Sequence, residues 1–220
     1  MSVIDPKNVL LVEGRTEKRL IPELMEKRGV AWEPVPKKYA VDIREAGGPV
    51  TAPDWIETHL KESALAALGV IFDADEMEGS EDHRWADMQN CCKAIGVALP
   101  DPAPAGGFYT VLPNGIRFGV WMMPNNQPPG MLETFLLALL KPEEAAGSLF
   151  RHAQGSVEKA RELGARFKAV HRDKALVHTW LAWQDQPGAQ LHEAIKFKIL
   201  DAASSNADTF VAWFRNLFQV

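Results

Sequence analysis

Two acidic groups in the chain follow directly on apolar runs, and their spacing could build a site for a divalent cation. Glu13 comes after the apolar run at 9–12, and Asp73 and Asp75 come after the run at 68–72. Continuous apolar runs of this kind are typical of strands buried on both faces of a parallel sheet. The carboxyl ends of such strands share one edge, where α/β proteins bind their ligands. We therefore expect Glu13, Asp73 and Asp75 to converge.

Clustered carboxylates repel one another, and a hard divalent cation would relieve that repulsion. Mg²⁺ prefers oxygen ligands, keeps several waters and bridges to substrate phosphates. A cation held this way can polarise a phosphodiester and lower the pKa of a bound water, and two cations can clamp both the attacking and the leaving oxygen. The acidic groups therefore indicate phosphodiester chemistry with Mg²⁺ or Mn²⁺ as the cofactor.

Glu17 is predicted to lie near the same place. Gly14 allows a sharp turn from strand to helix, and Thr16 is a plausible N-cap for a helix at 16–27. Glu17 would then stand in the first turn of that helix, close to the end of the preceding strand. An acid in the first turn is also favoured by the helix dipole. Both interpretations of Glu17, metal ligand and dipole partner, stay open.

The elements that must position these carboxylates alternate between strand and helix through the first half of the chain. That order favours right-handed crossovers and a parallel sheet. A hairpin is predicted over 108–123, because the sequence Pro-Asn-Gly at 113–115 separates two apolar runs. The predicted strands are 9–12, 39–44, 68–72, 108–112 and 116–123, and the predicted helices of this half are 16–27, 51–67, 80–96 and 132–140.

Beyond Lys141 the pattern is helical throughout. The predicted helices there are 142–154, 156–168, 173–184, 189–201 and 208–218. We therefore predict an α/β fold with a Rossmann-like, mainly parallel sheet flanked by helices. Residues 1–141 would form this core, including the hairpin, and residues 142–220 would form a helical C-terminal extension packed on it.

Composition and charge narrow the setting. The 220 residues are 46% apolar and 24% charged, which is ordinary for a globular protein. No apolar run reaches the roughly 18 residues that could span a bilayer, and the N-terminus lacks a signal-peptide pattern, so we expect a cytoplasmic protein without a membrane partner. The net charge of -5 argues against a globally basic nucleic-acid binder but not against a metal-bridged phosphate contact. The basic stretch 159–174 is the best candidate for a phosphate-tracking face.

The same motifs resemble a known family. Glu13-Gly14 after one apolar strand and Phe72-Asp73-Ala74-Asp75 after another resemble the Toprim domain of topoisomerases, primases and related nucleases. The fuller motif at 13–17, E-G-R-T-E, is similar to the E-G-x-T-E that opens the domain in OLD-family nucleases. Small uncharacterised OLD-like Toprim proteins continue with G-M-L-E, K-A and W-L-A, which stand here at 130–133, 174–175 and 180–182.

The resemblance implies a role for each matching residue. Glu13 would be the general acid/base or a metal-ligand glutamate, and Asp73, Asp75 and Glu17 would be metal ligands. Glu133 would match the later glutamate of the nucleases, a ligand of a second metal. Lys174 would match the lysine that neutralises charge during the reaction. The sequence departs from the OLD nucleases in one respect, since its 220 residues contain no G-x-x-x-x-G-K-[ST] motif, and we therefore expect no ATPase domain of the OLD type.

The residues and the resemblance together predict a Toprim-like nuclease that hydrolyses DNA or RNA with Mg²⁺ or Mn²⁺. One alternative is a non-catalytic Toprim-fold module of a defence or toxin-like system that binds a nucleic acid or a protein. Another is an enzyme of nucleotide phosphoryl transfer or hydrolysis. A protein partner or a homodimer is compatible with each of these functions.

Overall fold

A sheet of five strands, covered by helices on both faces, makes up the centre of the part of the chain that the structure describes. The structure is a computed structural model, and it describes residues 7–33, 39–47, 53–74, 84–127 and 129–220. The strands are β1 (Lys7–Val12), β2 (Asp42–Glu45), β3 (Leu65–Asp73), β4 (Phe108–Val111) and β5 (Arg117–Met123). The helices are α1 (Arg15–Lys27), α2 (Pro53–Leu60), α3 (Arg84–Ala94), α4 (Leu132–Leu137), α5 (Pro142–Ala145), α6 (Ser148–Glu162), α7 (Arg172–Leu181), α8 (Leu191–Lys196) and α9 (Asp208–Phe218).

The strands lie in the order β2-β1-β3-β5-β4. The β1–β2, β1–β3 and β3–β5 pairs are parallel, and only the β4–β5 pair among these is antiparallel. Leu10 stands opposite Gly69 in the β1–β3 pair, and Gly69 stands opposite Gly119 in the β3–β5 pair. The predicted α/β class, the mainly parallel Rossmann-like sheet and the hairpin are therefore confirmed.

Alternate residues of the central strands enter two separate apolar clusters, as the two-residue period of a strand requires. Leu10, Ile71 and Trp121 face the larger cluster, which α1, α4 and the helices after residue 147 complete. Leu11, Val70 and Phe118 face the smaller cluster, which α2 and α3 complete. The sheet is thus the middle of three layers. Because helices cover both of its faces, the ends of its strands, where the loops lie, are left for a ligand-binding site.

The helical part after Lys141 packs directly on the sheet through α9. An added Cβ on Gly69 would lie 2.8 Å from Cζ of Phe218, and one on Gly119 would lie 2.7 Å from Cδ2 of Leu217. Both glycines therefore let a helix approach the strands more closely than any side chain would permit. This contact agrees with a helical region packed on the core, whereas the division into two domains at Lys141 stays a prediction.

Several boundaries differ from those predicted from the sequence. One helix, α6 (Ser148–Glu162), runs through the break predicted at residue 155, and β2 begins at Asp42 rather than at residue 39. The helix predicted over 51–67 ends at Leu60, and β3 begins at Leu65, directly after Ala64, whose positive φ of 63° is incompatible with a helix that continues to residue 67. Strand pairing on both sides overrides the helix preference of the following Leu-Ala-Ala. The N-cap of α1 is Gly14, not Thr16, and its φ of -150° is an extended conformation open to any residue.

Among the residues that the structure describes, no helix is both long enough and apolar enough to cross a membrane.

Candidate functional site

The carboxyl ends of β1 and β3 meet at the point where the strand order reverses. After β1 the chain builds β2 on one side, and β3 then pairs with the other side of β1. Crevices at such switch points are where open α/β sheets bind ligands. Glu13 follows the last residue of β1, and Asp73 is the last residue of β3. The two carboxylates predicted to share an edge therefore stand at neighbouring strand ends.

Glu13 forms an ion pair with Arg84, the first residue of α3. A guanidinium nitrogen of Arg84 donates to Oε1 of Glu13, and both side chains are mostly buried. The guanidinium carbon also lies 5.8 Å from the centre of the Phe72 ring. The Nε of Arg84 is buried and has no hydrogen-bond acceptor among the described residues. Arg84 thus brings a positive charge and an unsatisfied donor to the edge of the sheet.

Glu17 is buried, with only 8% of its surface exposed. Burial raises the pKa of its carboxyl, and the negative charge of Glu133 raises it further. Hydrogen bonds from the backbone N–H groups of Glu17 and Gly14, and the charge of Lys174, act in the opposite direction. Glu17 therefore serves the helix terminus, as its dipole interpretation requires, and also takes part in a charge cluster with Glu133 and Lys174.

Glu133 lies in the first turn of α4 and is only 3% exposed. Its Oε1 is 3.1 Å from Nζ of Lys174, near the start of α7. Burial of Lys174 favours the neutral amine, but the charges of Glu133, Asp73 and Glu17 outweigh burial and raise the pKa of this lysine. Lys174 is therefore the cation shared by three carboxylates from three separate parts of the chain.

Hydrogen bonds fix the helix starts that carry this cluster. Oδ1 of Asp73 accepts from the backbone N–H of Leu132 at 2.9 Å, which ties the end of β3 to the first turn of α4. The hydroxyl of Thr134 donates to Oδ2 of Asp173 at 2.8 Å, which ties α4 to the first turn of α7. Glu133 lies between Leu132 and Thr134 in the sequence, and Lys174 follows Asp173. Their separation is thus set by a short chain of bonds that begins at the sheet.

The structure places five of the six predicted site residues, namely Glu13, Glu17, Asp73, Glu133 and Lys174, and Asp75 lies outside the described residues. Glu17, Asp73, Glu133 and Lys174 interact electrostatically, and Glu13 stands at the adjoining strand end. Arg84 was missed, although a cation in the first turn of a helix opposes the helix dipole and is itself a signal.

The donor set suits one kind of cation better than others. Within the described part of the chain, no three or more His, Cys, Asp or Glu side chains are grouped as a ready-made metal cage. Mg²⁺ rarely uses such cages and is commonly held by one or two carboxylates together with waters and substrate phosphates. The buried carboxylates of Glu17 and Glu133 match that requirement in number and in ligand type, and Asp73 interacts with the same lysine, Lys174.

Comparison with protein families gives one match over nearly the whole chain. A family described as proteins of unknown function (DUF3226) matches residues 7–219. No curated protein and no solved structure matches the sequence.

Proposed function

We propose that this chain, which belongs to the DUF3226 family, is a divalent-metal-dependent phosphodiester hydrolase that cuts DNA or RNA in the cytoplasm. One observation carries the proposal. Glu17 and Glu133 are both buried and repel each other at the carboxyl edge of a parallel sheet, beside Asp73. Burying like charges side by side opposes folding. Charged groups that remain buried in spite of this penalty are found preferentially at functional sites.

Mg²⁺ or Mn²⁺ is the proposed cofactor, with Glu17, Glu133, Asp73 and Glu13 as the residues that would hold it. When bound, the cation would polarise the phosphodiester and lower the pKa of a water. Asp75 joins this ligand set as a prediction from the sequence alone. The Toprim and OLD-like resemblance supports the same ligand set, and membership of that wider group is part of the proposal.

The cationic residues of the site have separate roles in the proposal. Lys174 already neutralises Glu133 at 3.1 Å, and it would redirect its charge to the phosphate as negative charge develops there. Arg84 offers the buried Nε that lacks an acceptor among the described residues, which suits a phosphate oxygen next to Glu13. Glu13 would accept the proton of the attacking water.

Cleavage assays with matched carboxylate variants test this function. Supercoiled plasmid, single-stranded DNA and RNA are incubated with Mg²⁺ or Mn²⁺ and with the wild type, Asp73→Asn or Glu13→Gln. Glu57→Gln is the control, because Glu57 is a half-exposed glutamate on α2 that pairs with Lys61. We expect metal-dependent cutting by the wild type and the control, and a loss of about 100-fold or more in the two site variants. Circular dichroism confirms that each variant is folded.

The outcomes separate the alternatives. Cutting that survives in both site variants contradicts the proposed ligands. A wild type that cuts none of the three substrates contradicts the nuclease function. In that case metal binding with hydrolysis of a nucleotide would favour nucleotide phosphoryl chemistry, and metal or nucleic-acid binding without any hydrolysis would favour a non-catalytic module.

A further inference from the structure

A cavity of about 270 Å³ opens between the start of α1, the end of α7 and the start of α8. Its polar lining comes from Arg15, Thr16 and Arg19 on α1, His178 on α7, and Gln190 and His192 at α8. The apolar floor comes mainly from Leu181 and Leu191, which are buried. The cavity is therefore a defined hollow with a cationic rim.

The charge of this lining is unusual for the chain as a whole. The protein carries a net charge of -5, yet the cavity lining includes two arginines and two histidines and, among the described residues, no aspartate or glutamate. Guanidinium and imidazole N–H groups donate hydrogen bonds to anions, and guanidinium binds phosphate in a forked geometry. A local reversal of sign in an acidic protein points to an anionic ligand.

The two arginines differ in how they are held. Arg19 donates from Nη1 to Oε1 of Gln190 at 2.7 Å, so its guanidinium is positioned at the cavity before any ligand arrives. Nε of Arg15 lies 3.6 Å from Oε2 of Glu45, and the arginine side chain is 80% exposed. An ion pair so exposed contributes little. Arg15 can therefore turn to a ligand at small cost.

The same two helices serve the cavity and the carboxylate cluster. On α7, His178 follows Lys174 by four residues, which places the two on one face of the helix. On α1, Glu17 is two residues from Arg15 and two from Arg19, so its side chain lies on a different face of the helix from theirs. The face of α7 therefore connects the cavity to the carboxylate cluster, and a polymer with phosphates at regular intervals would reach both places along it.

The basic stretch 159–174 is a weaker candidate for that role. Lys159 pairs with Glu162 at 2.7 Å, and Arg161 and Arg172 both pair with Glu158, at 3.8 and 2.7 Å. Each of those three cations has a carboxylate partner on its own surface. Among the described residues the lining of the cavity contains no acid, and Arg15 alone of its two arginines pairs with a carboxylate, Glu45, outside that lining. A phosphate would therefore meet less competition at the cavity.

We propose that this cavity is a second phosphate subsite, which binds a phosphate of the same nucleic-acid strand whose scissile phosphate lies at the carboxylate cluster. The inference rests on the proposed function and adds to it a positioning role for Arg15, Arg19, His178 and His192. The subsite would hold the strand in register with the cluster, so that binding energy remote from the reacting phosphate orients it.

Strand binding without catalysis tests the subsite directly. Fluorescence anisotropy is measured with short fluorescein-labelled single-stranded DNA and RNA in EDTA, for the wild type, Arg19→Ala and Arg15→Ala/Arg19→Ala. Lys61→Ala is the control, because it removes one exposed cation that follows α2 on the other face of the sheet. We expect about tenfold weaker binding for Arg19→Ala, a larger loss for the double variant, and less than a twofold change for the control.

The salt dependence gives a second readout that a merely structural role would not move. Loss of one phosphate contact should lower the slope of log Kd against log salt by about 0.7 for a single strand. Variants that bind with the affinity and the salt slope of the wild type would overturn the subsite and would leave the proposed function standing.

A probe smaller than a strand separates failure of the subsite from failure of the proposed function. Inorganic phosphate is titrated while the histidine ring signals are followed by NMR, with His152 on α6 as the internal control. We expect the signals of His178 and His192 to shift in the wild type and to stay in place in the double arginine variant. Phosphate shifts without any strand binding would overturn the strand-positioning role and retain an anion cavity, whereas the cleavage assay alone decides the nuclease function. Unchanged signals would overturn the cavity itself.

Discussion

Glu17 and Glu62 are glutamates next to the central strands, and their pKa values shift in opposite directions. A hydrogen bond from Arg44 is the largest influence on Glu62, and it lowers the pKa of that carboxyl against the opposing effect of burial. Burial is the largest influence on Glu17 and raises the pKa, with Glu133 adding to it. Glu62 accepts hydrogen bonds directly from Arg44, whereas Glu17 shares the charge of Lys174 with Glu133 and Asp73.

The contrast distinguishes a carboxylate that is neutralised within the fold from one that would bind a metal ion in the proposed function. Arg44 donates to both Glu62 and Asp42, which closes a network near the turn before β3. That network satisfies its members and needs no ligand. Glu17 and Glu133 hold excess negative charge at the other end of the sheet, where the topology places ligands. A cation can relieve the repulsion in the second arrangement, whereas the first is already neutralised.

The largest expected effect is on catalysis. Glu133→Gln keeps the shape of the side chain but removes a buried carboxylate, and we expect phosphodiester cleavage to fall by about 100-fold. Glu62→Gln makes the same chemical change in the structural network and should alter cleavage by less than twofold. The measurement is kcat/KM on the best substrate of the wild type, at saturating Mg²⁺. Equal losses in both variants would erase the distinction between the two carboxylates.

The second largest expected effect is on the free energy of unfolding, and it has opposite signs in the Arg44 network and at Glu17. Arg44→Met leaves two carboxylates without their donor, and we expect a loss of about 1 to 3 kcal/mol in the free energy of unfolding. Glu17→Gln removes a desolvated charge while keeping an oxygen acceptor for the helix start, and we expect a gain of about 0.5 to 1 kcal/mol at neutral pH. Urea unfolding measures both, with Lys61→Met as the exposed control. Destabilisation by Glu17→Gln would show that the charge itself supports the fold.

The smallest effect is on the pH dependence of stability. The pKa of Glu17 is raised in the fold, so its stabilising contribution is full below the ordinary value of 4.5 and is lost as pH rises through the folded pKa. The pKa of Glu62 is lowered, so its contribution is present above 4.5 and is lost as pH falls through the folded pKa. The difference in thermal midpoint between the wild type and Glu17→Gln should therefore change with pH above 4.5. The difference between the wild type and Glu62→Gln should change with pH below 4.5. Parallel curves would contradict both assignments.

Local patterns in the sequence were sufficient to place Glu13 and Asp73. Each follows a run of apolar residues long enough to be a buried strand, and parallel strands align their carboxyl ends whatever the rest of the chain does. The hairpin of β4 and β5 could be predicted for the same reason, since its turn residues lie between its strands. The start of β3 could not, because Leu65 and the alanines after it favour a helix until pairing on both sides is considered.

The cluster around Lys174 could not be derived from local pattern. Glu17, Glu133 and Lys174 come from three helices whose approach depends on packing between distant parts of the chain. The resemblance to Toprim nucleases pointed to all three residues, but not to the hydrogen bonds through Asp73, Leu132 and Thr134 that bring them together. Arg84 meets Glu13, and the cavity cations meet one another, only in the folded protein. In the sequence each of these residues looks like an ordinary surface charge.

The seat of α9 on Gly69 and Gly119 has a consequence for how the protein is made. These glycines belong to strands that leave the ribosome long before residues 208–218, and their grooves are filled by Leu217 and Phe218. Asn8 on β1 also donates to the backbone oxygen of Phe218 at 3.1 Å. One face of the nascent sheet therefore remains exposed to solvent until α9 has been synthesised. The packing of the sheet that carries the carboxylates is completed only after this helix has been translated.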